Sequence, residues 1–269
     1  MHQAVRQEAL GEALSKVPEV TLVFWIIKIL CTTLGETGGD AVTMSWLHAD
    51  QNANNGGYLV GIGIFFAFFV ATVAAQISVK KFSPWTYWLA IVGSTLVGTA
   101  IADFLDRSLG IGYLGGSLIL FACVLGSLAT WYLVLGSINV QTVATPKVEL
   151  FYWVTITFSQ TLGTALGDWL ADSGGLGYEY GALVFLVGLG ICAALYYWTN
   201  VSHVFLFWAA FVLTRPLGAT LGDLLDKPVS HGGLAISRPV ISIALAVVIL
   251  LCIALLPQRA GRHPGAQEA

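Results

Sequence analysis

Four aspartates occupy one fixed place in four long apolar segments. Each closes the pattern Trp-x9-Gly-x4-Asp: Trp25/Gly35/Asp40, Trp88/Gly98/Asp103, Trp153/Gly163/Asp168 and Trp208/Gly218/Asp223. A carboxylate inside a membrane is costly unless it is paired or hydrated, so residues of this kind mark ion paths, proton relays or substrate sites. Carboxylates are hard oxygen ligands suited to divalent cations, and they also exchange protons.

Residues four apart share a helix face. Counting back from each aspartate by four and eight gives a polar stripe: Thr32, Glu36, Asp40; Thr95, Thr99, Asp103; Gln160, Thr164, Asp168; Arg215, Ala219, Asp223. One residue earlier runs a stripe of small side chains: Cys31, Gly35, Gly39; Ser94, Gly98, Ala102; Ser159, Gly163, Gly167; Thr214, Gly218, Gly222. Small residues at this spacing let helix backbones approach closely in lipid. Each of the four helices is therefore expected to carry a packing face beside a polar face. Lys28 and Glu36 are peculiar to the first repeat and Arg215 to the fourth. These two cations are read as counter-charges to Glu36, Asp40, Asp103, Asp168 and Asp223, either in a cation site or in a structural salt bridge such as Arg215 with Glu36 or Asp40. Asp106, Asp172 and Asp226 read as helix-end residues reaching interfacial water.

The elements that must position these residues are membrane helices. Of 269 residues, 57% are hydrophobic and 10% charged, against about 25% charged in an average soluble domain; the mean hydropathy is +0.79. A helix crosses a bilayer with about 20 mostly apolar residues. Eight stretches fit: about 20–44, 58–79, 86–105, 113–138, 150–170, 180–199, 203–225 and 234–256. They pair into four two-helix repeats (20–79, 86–138, 150–199, 203–256) between an N-terminal segment, 1–19, and a tail, 257–269. Because each repeat crosses twice, all four enter from one side. The expected fold is all-α and polytopic, with parallel repeats pseudosymmetric about the membrane normal. Odd helices lie centrally; even helices, with Phe65, Phe66, Phe68 and Phe69 as examples, face lipid. Arg6, Lys16, Lys80, Lys81, Lys147, Arg259 and Arg262 lie on one side, Arg107, Lys227 and Arg238 on the other. The excess of positive charge places both termini in the cytoplasm, with the tryptophans near the inner interface. The hairpin loop holding His48 and Asp50 reads as an exposed loop. Cys31, Cys123, Cys192 and Cys252 are scattered and read as buried thiols.

The fourfold repeat, with GTALGD at 163–168 and GATLGD at 218–223, resembles a bacterial membrane-protein family built from a tandem repeat of unknown function. The likeness covers about residues 20–256. Unit two departs from it with Ala102 before Asp103, and unit one with Glu36. The resemblance implies a bacterial inner-membrane protein and supplies no substrate.

Function is therefore read from the residues. The first reading is a small-cation transporter, for a divalent metal or proton-coupled. Glu36, Asp40, Asp103, Asp168 and Asp223 bind the ion, and Lys28, Thr32, Thr95, Thr99, Gln160, Thr164 and Arg215 line its route. Gly35, Gly39, Gly98, Gly163, Gly167, Gly218 and Gly222 pack the helices. A cation channel with an acidic ring is the second reading. An intramembrane enzyme, a sensor or a carrier of anions comes behind both. There is no nucleophile–base arrangement and no HExxH, so no catalytic residue and no cofactor is expected beyond a divalent cation as substrate. The slightly negative net charge, −3, excludes nucleic acid. The expected partners are the bilayer and a small inorganic cation, with self-association left open.

Overall fold

The computed structural model describes residues 15–49 and 56–261. Asp50 of the first hairpin loop, and Arg6 and Arg262 of the charge comparison, lie outside the described residues. Among the described residues eight α-helices follow one another: α1 Leu22–Asp40, α2 Gly56–Ser78, α3 Pro84–Asp103, α4 Tyr113–Leu135, α5 Pro146–Asp168, α6 Gly177–Trp198, α7 His203–Asp226 and α8 Arg238–Leu255. Their starts carry local signals. Thr21 and Ser202 accept the backbone N–H of Phe24 and Phe205, and Pro84 and Pro146 open α3 and α5, where a missing N–H costs nothing.

Among the described residues seven helices are long and apolar enough to cross a membrane. The exception is α5, where Lys147, Glu149 and the run Thr155, Thr157, Ser159, Gln160, Thr161 and Thr164 dilute the apolar content. It remains a 23-residue helix. Its polar residues are mostly buried against neighbours.

The four odd helices close a ring. α1 packs against α3 and α7, and α5 packs against the same two. Each even helix packs on the odd helix of the following repeat: α2 on α3, α4 on α5, α6 on α7, and α8 back on α1. No repeat is thus a closed unit. Between 56% and 67% of the apolar windows of α1, α3 and α7 are buried, against 11–28% in the even helices. The even helices are apolar all round, so their composition does not mark which face is buried; in α2 the buried strip is Gly57, Gly61, Phe65 and Phe69. Phe66 and Phe68 of α2 are exposed, but Phe65 and Phe69 turn inward, with Phe69 on the ring of Trp153. Only half of that phenylalanine group therefore presents an outer surface.

In three repeats the helix widens into a π-helical turn directly after the motif aspartate: Ala41–Trp46, Phe104–Ser108 and Trp169–Ser173. Such turns recur at functional sites. The fourth stays α-helical to Asp226. There residues 234–236 fold back, and the N–H groups of Leu234 and Ile236 satisfy the carbonyls of Leu224 and Leu225.

Candidate functional site

The small stripes form the seams of the ring. A Cβ on Gly39 would lie 2.9 Å from Thr99 Cγ2, on Gly98 2.9 Å from Gln160 Cβ, on Gly167 3.0 Å from Ala219 Cβ and on Gly222 2.7 Å from Glu36 Cβ. Gly35 meets Thr95, Gly163 meets Arg215 and Gly218 meets Thr32 in the same way. Each glycine receives the polar stripe of the next helix, so the stripes are drawn into the interior.

Counted in fours from the aspartates, the odd helices supply five matched sets. They are Asp40, Asp103, Asp168, Asp223; Glu36, Thr99, Thr164, Ala219; Thr32, Thr95, Gln160, Arg215; Lys28, Ile91, Ile156, Phe211; and Phe24, Tyr87, Tyr152, Phe207. None of the twenty is more than 7% exposed. The interior column therefore grades from charged, through polar and aliphatic, to aromatic.

The aspartates are held in two pairs. Arg107 Nε lies 3.2 Å from Asp103 on its own helix, and its NH2 3.6 Å from Asp168 on α5. Lys227 Nζ lies 3.1 Å from Asp223 on its own helix and 2.8 Å from Asp40 on α1. Each cation follows its own aspartate by four residues and reaches the aspartate of the next repeat, so the two clips are equivalents two repeats apart. Arg238 bonds Asp226 at 2.8 Å and stands 3.8 Å from Asp40. Asp40 Oδ1 and Asp168 Oδ1 are buried and accept no hydrogen bond. One oxygen each from Glu36, Asp40 and Asp223 lie within 4.8 Å of one another. Two oxygens on one divalent ion at about 2.3–2.6 Å are at most roughly 5 Å apart, so these three residues could share an ion with little movement.

One turn inward, Arg215 is fully buried and donates through NH2 to Glu36 Oε2 at 3.0 Å, Thr99 Oγ1 at 2.6 Å and Thr164 Oγ1 at 2.5 Å. Lys28 has no carboxylate partner; its ammonium stands 4.1 Å from the centre of the Phe211 ring and donates no hydrogen bond. Thr32 and Thr95 bond carbonyls across the α1–α7 and α1–α3 seams, and Gln160 reaches Ser94 at 3.4 Å. These three brace seams; Thr99 also bonds the Gly35 carbonyl across the α1–α3 seam, and both it and Thr164 accept from the guanidinium. Asp226 and Asp106 are buried rather than interfacial, because Arg238 draws the first inward and Gly116 gives the second room.

The aromatic set closes the other end. The Tyr87 and Tyr152 hydroxyls bond each other at 2.7 Å, and Phe24 lies 6.4 Å from the Tyr87 ring and 6.2 Å from that of Phe207. Trp88, Trp153 and Trp208 are buried between helices here, with Trp88 bonded to Gln258 and Trp208 to the Ile138 carbonyl. Residues Pro18 and Ala260 pair antiparallel across this end, and Lys16 makes a buried 2.6 Å pair with Glu149. A cavity of about 170 Å³ between Glu19, Thr21, Phe24 and Arg259 lies beside them.

Sequence reasoning placed Arg107, Lys227 and Arg238 in outer connections and gave them no role at the aspartates. Their spacing of four from Asp103 and Asp223 was the available signal for the first two. Arg238 begins another helix, and only the tertiary fold brings it to Asp226.

No curated protein and no solved structure matches this chain. The family described as Repeat of Unknown Function (DUF347) matches four times, at residues 23–82, 86–136, 151–202 and 206–259. With four tandem copies covering most of its length, the chain belongs to that repeat family.

Proposed function

We propose that the protein is a membrane-embedded carrier of small cations that exchanges a divalent metal ion for protons. In this reading the eight helices cross the bacterial inner membrane with both termini cytoplasmic. The four repeats run in the same direction around an axis normal to the membrane. Successive contacts support the shared direction: Gly35 and Gly39 meet Thr95 and Thr99 in order, as Gly218 and Gly222 meet Thr32 and Glu36. The asymmetry of lysine and arginine between the two ends supports the orientation.

One observation carries the proposal: four buried aspartates from four helices are bridged by two cations, Arg107 and Lys227, while Arg238, 3.8 Å from Asp40, is matched by its own closer partner Asp226. The remaining two negative charges match one divalent ion or two protons. Glu36, Asp40 and Asp223 receive the ion, and Lys227 is displaced from Asp40 as it enters. When the carboxylates take protons, the same oxygens lose their hold on the metal. A carrier is favoured over a channel because Arg215 fills the polar middle of the column and the Phe24, Tyr87, Tyr152 and Phe207 set closes its far end. The proposal uses no catalytic residue and no cofactor.

The test is flux into proteoliposomes containing a pH dye and a metal-sensitive dye, with magnesium, calcium, manganese and zinc as the panel. Metal entry is expected with proton exit, and an imposed membrane potential should leave the rate unchanged. Asp40→Asn with Asp223→Asn should abolish it. If no metal in the panel moves protons above the level of empty vesicles, the proposal fails.

A further inference from the structure

We propose that the oxygens around Arg215 form a second cation seat, which the protein's own guanidinium fills and which a free monovalent cation takes when Arg215 is withdrawn. Its role in transport rests on the carrier reading, but its existence as a site does not.

The geometry is that of a cage around a point charge. Three oxygens from three helices, Glu36 Oε2 on α1, Thr99 Oγ1 on α3 and Thr164 Oγ1 on α5, stand within 3.0 Å of the single nitrogen NH2 of Arg215. The Thr32 carbonyl lies 3.4 Å from NH1. An arginine terminal nitrogen carries two hydrogens, so it cannot direct one at each of three acceptors. The forked, bidentate geometry for which arginine suits carboxylates is also unused, because Nε is buried without a partner. The oxygens are thus arranged for a compact cation more than for a guanidinium.

The Thr99 hydroxyl is set up to accept. The Thr99 hydrogen is taken up by the carbonyl of Gly35 at 2.9 Å or of Thr95 at 3.1 Å, which leaves its lone pairs towards Arg215. On the same set of positions the fourth helix supplies only Ala219, and the Arg215 side chain rises from one turn earlier into the room this leaves. Glu36 is the one carboxylate of this set, so the seat without arginine carries a single negative charge and matches a monovalent ion. Carboxylate, hydroxyl and carbonyl oxygens suit hard cations of the alkali kind. Pro216 follows Arg215 inside α7 and lacks the N–H that would bond the carbonyl four residues back, so the helix is least braced where the arginine must move.

The experiment compares wild type with Arg215→Ala and Arg215→Gln in detergent. Melting temperature is followed against potassium, sodium or guanidinium chloride, with choline chloride at equal ionic strength as the reference. Each variant should rise by about 5–10 °C at a hundredfold excess of ion over its Kd, since a ligand of the folded state adds RT ln(1 + [L]/Kd). Wild type, whose seat is filled, should follow choline. Adding Glu36→Gln to the variant should remove the response. The proposal is overturned if the folded variants respond no more than to choline, which would make Arg215 a structural brace. It is equally overturned if neither variant folds with guanidinium present throughout purification, because a seat for a free cation predicts rescue. Metal flux through the wild-type carrier is measured separately, so loss of that reading leaves this result interpretable.

Discussion

Replacing Gly98 with alanine should open the ring at the α3–α5 seam. A Cβ there would lie 2.9 Å from Gln160 Cβ and 3.0 Å from both Gln160 C and Thr161 N. Two of these obstacles are backbone, so no side-chain rotation relieves them. Carbon contacts settle near about 3.5–4.0 Å, and α3 and α5 must part by roughly 0.5–1 Å. Overpacking of this size costs about 1–3 kcal/mol. Alanine also favours the helix over glycine by about 0.8–1 kcal/mol, which partly masks the clash. Gly190→Ala on α6 separates the two effects, because nothing lies within 4 Å of its Cβ and it receives the propensity gain alone. The difference between the two variants is then the clash itself. At roughly 2–4 °C per kcal/mol for a chain of this order of size, Gly98→Ala should melt several degrees below Gly190→Ala when followed by tryptophan fluorescence in detergent. Equal melting temperatures would refute the claim that glycine at this position is a packing requirement.

Three further outcomes follow from named contacts. Tyr87→Phe or Tyr152→Phe alone leaves a buried hydroxyl without its 2.7 Å partner and should cost about 1–3 kcal/mol, while the double variant should cost less than the sum of the singles; additive thermal shifts would contradict the pairing. Lys227→Met leaves the buried carboxylates of Asp40 and Asp223 without their shared cation. It should destabilise by about 3–5 kcal/mol, and millimolar manganese should restore more stability to the variant than to wild type in the same melt. Gln258→Ala removes the acceptor of the Trp88 indole N–H. It should speed protease cleavage of residues 257–261, and unchanged cleavage would show that the tail is held by its backbone pairing alone.

The pattern of repeats, the helix number and the alternation of polar and apolar helices were legible because they are periodic, and period is what a sequence displays. That the four aspartates form one matched set was legible for the same reason. What the sequence hid was connectivity. Nothing local says that α2 packs on α3 rather than on α1, because an even helix that is apolar all round names no partner. The clips were half visible: Asp103–Arg107 and Asp223–Lys227 are spaced for one helix face, but their second aspartates belong to other helices. Lys28 illustrates the opposite error. A lone lysine among carboxylates suggests pairing, yet its set holds Ile91, Ile156 and Phe211, and the ammonium rests on an aromatic ring. The apolar content of α5 also misleads, since a helix buried between others can be more polar than one facing lipid.

The sequence repeats four times, but the charge repeats twice. Four residues beyond the motif aspartates stand Met44, Arg107, Asp172 and Lys227, so the cations alternate around the ring and each serves two carboxylates. That alternation keeps the aspartate set two charges short of neutral. Met44 already touches the Arg107 clip, with its sulfur 3.8 Å from Arg107 NH1. Met44→Lys would therefore bring a further cation to the aspartates without altering any carboxylate. One unit charge about 6 Å from another at an effective dielectric near 20 contributes roughly 3 kcal/mol before relaxation. Part of that is lost to repulsion from Arg107. A weakening of divalent-ion stabilisation by about tenfold or more is nevertheless expected, since tenfold needs only about 1.4 kcal/mol. Met44→Gln, similar in size and uncharged, should leave the midpoint near that of wild type. If the lysine and glutamine variants respond alike to manganese, the charge shortfall at the ring does not govern cation binding, and the exchange mechanism loses its physical basis.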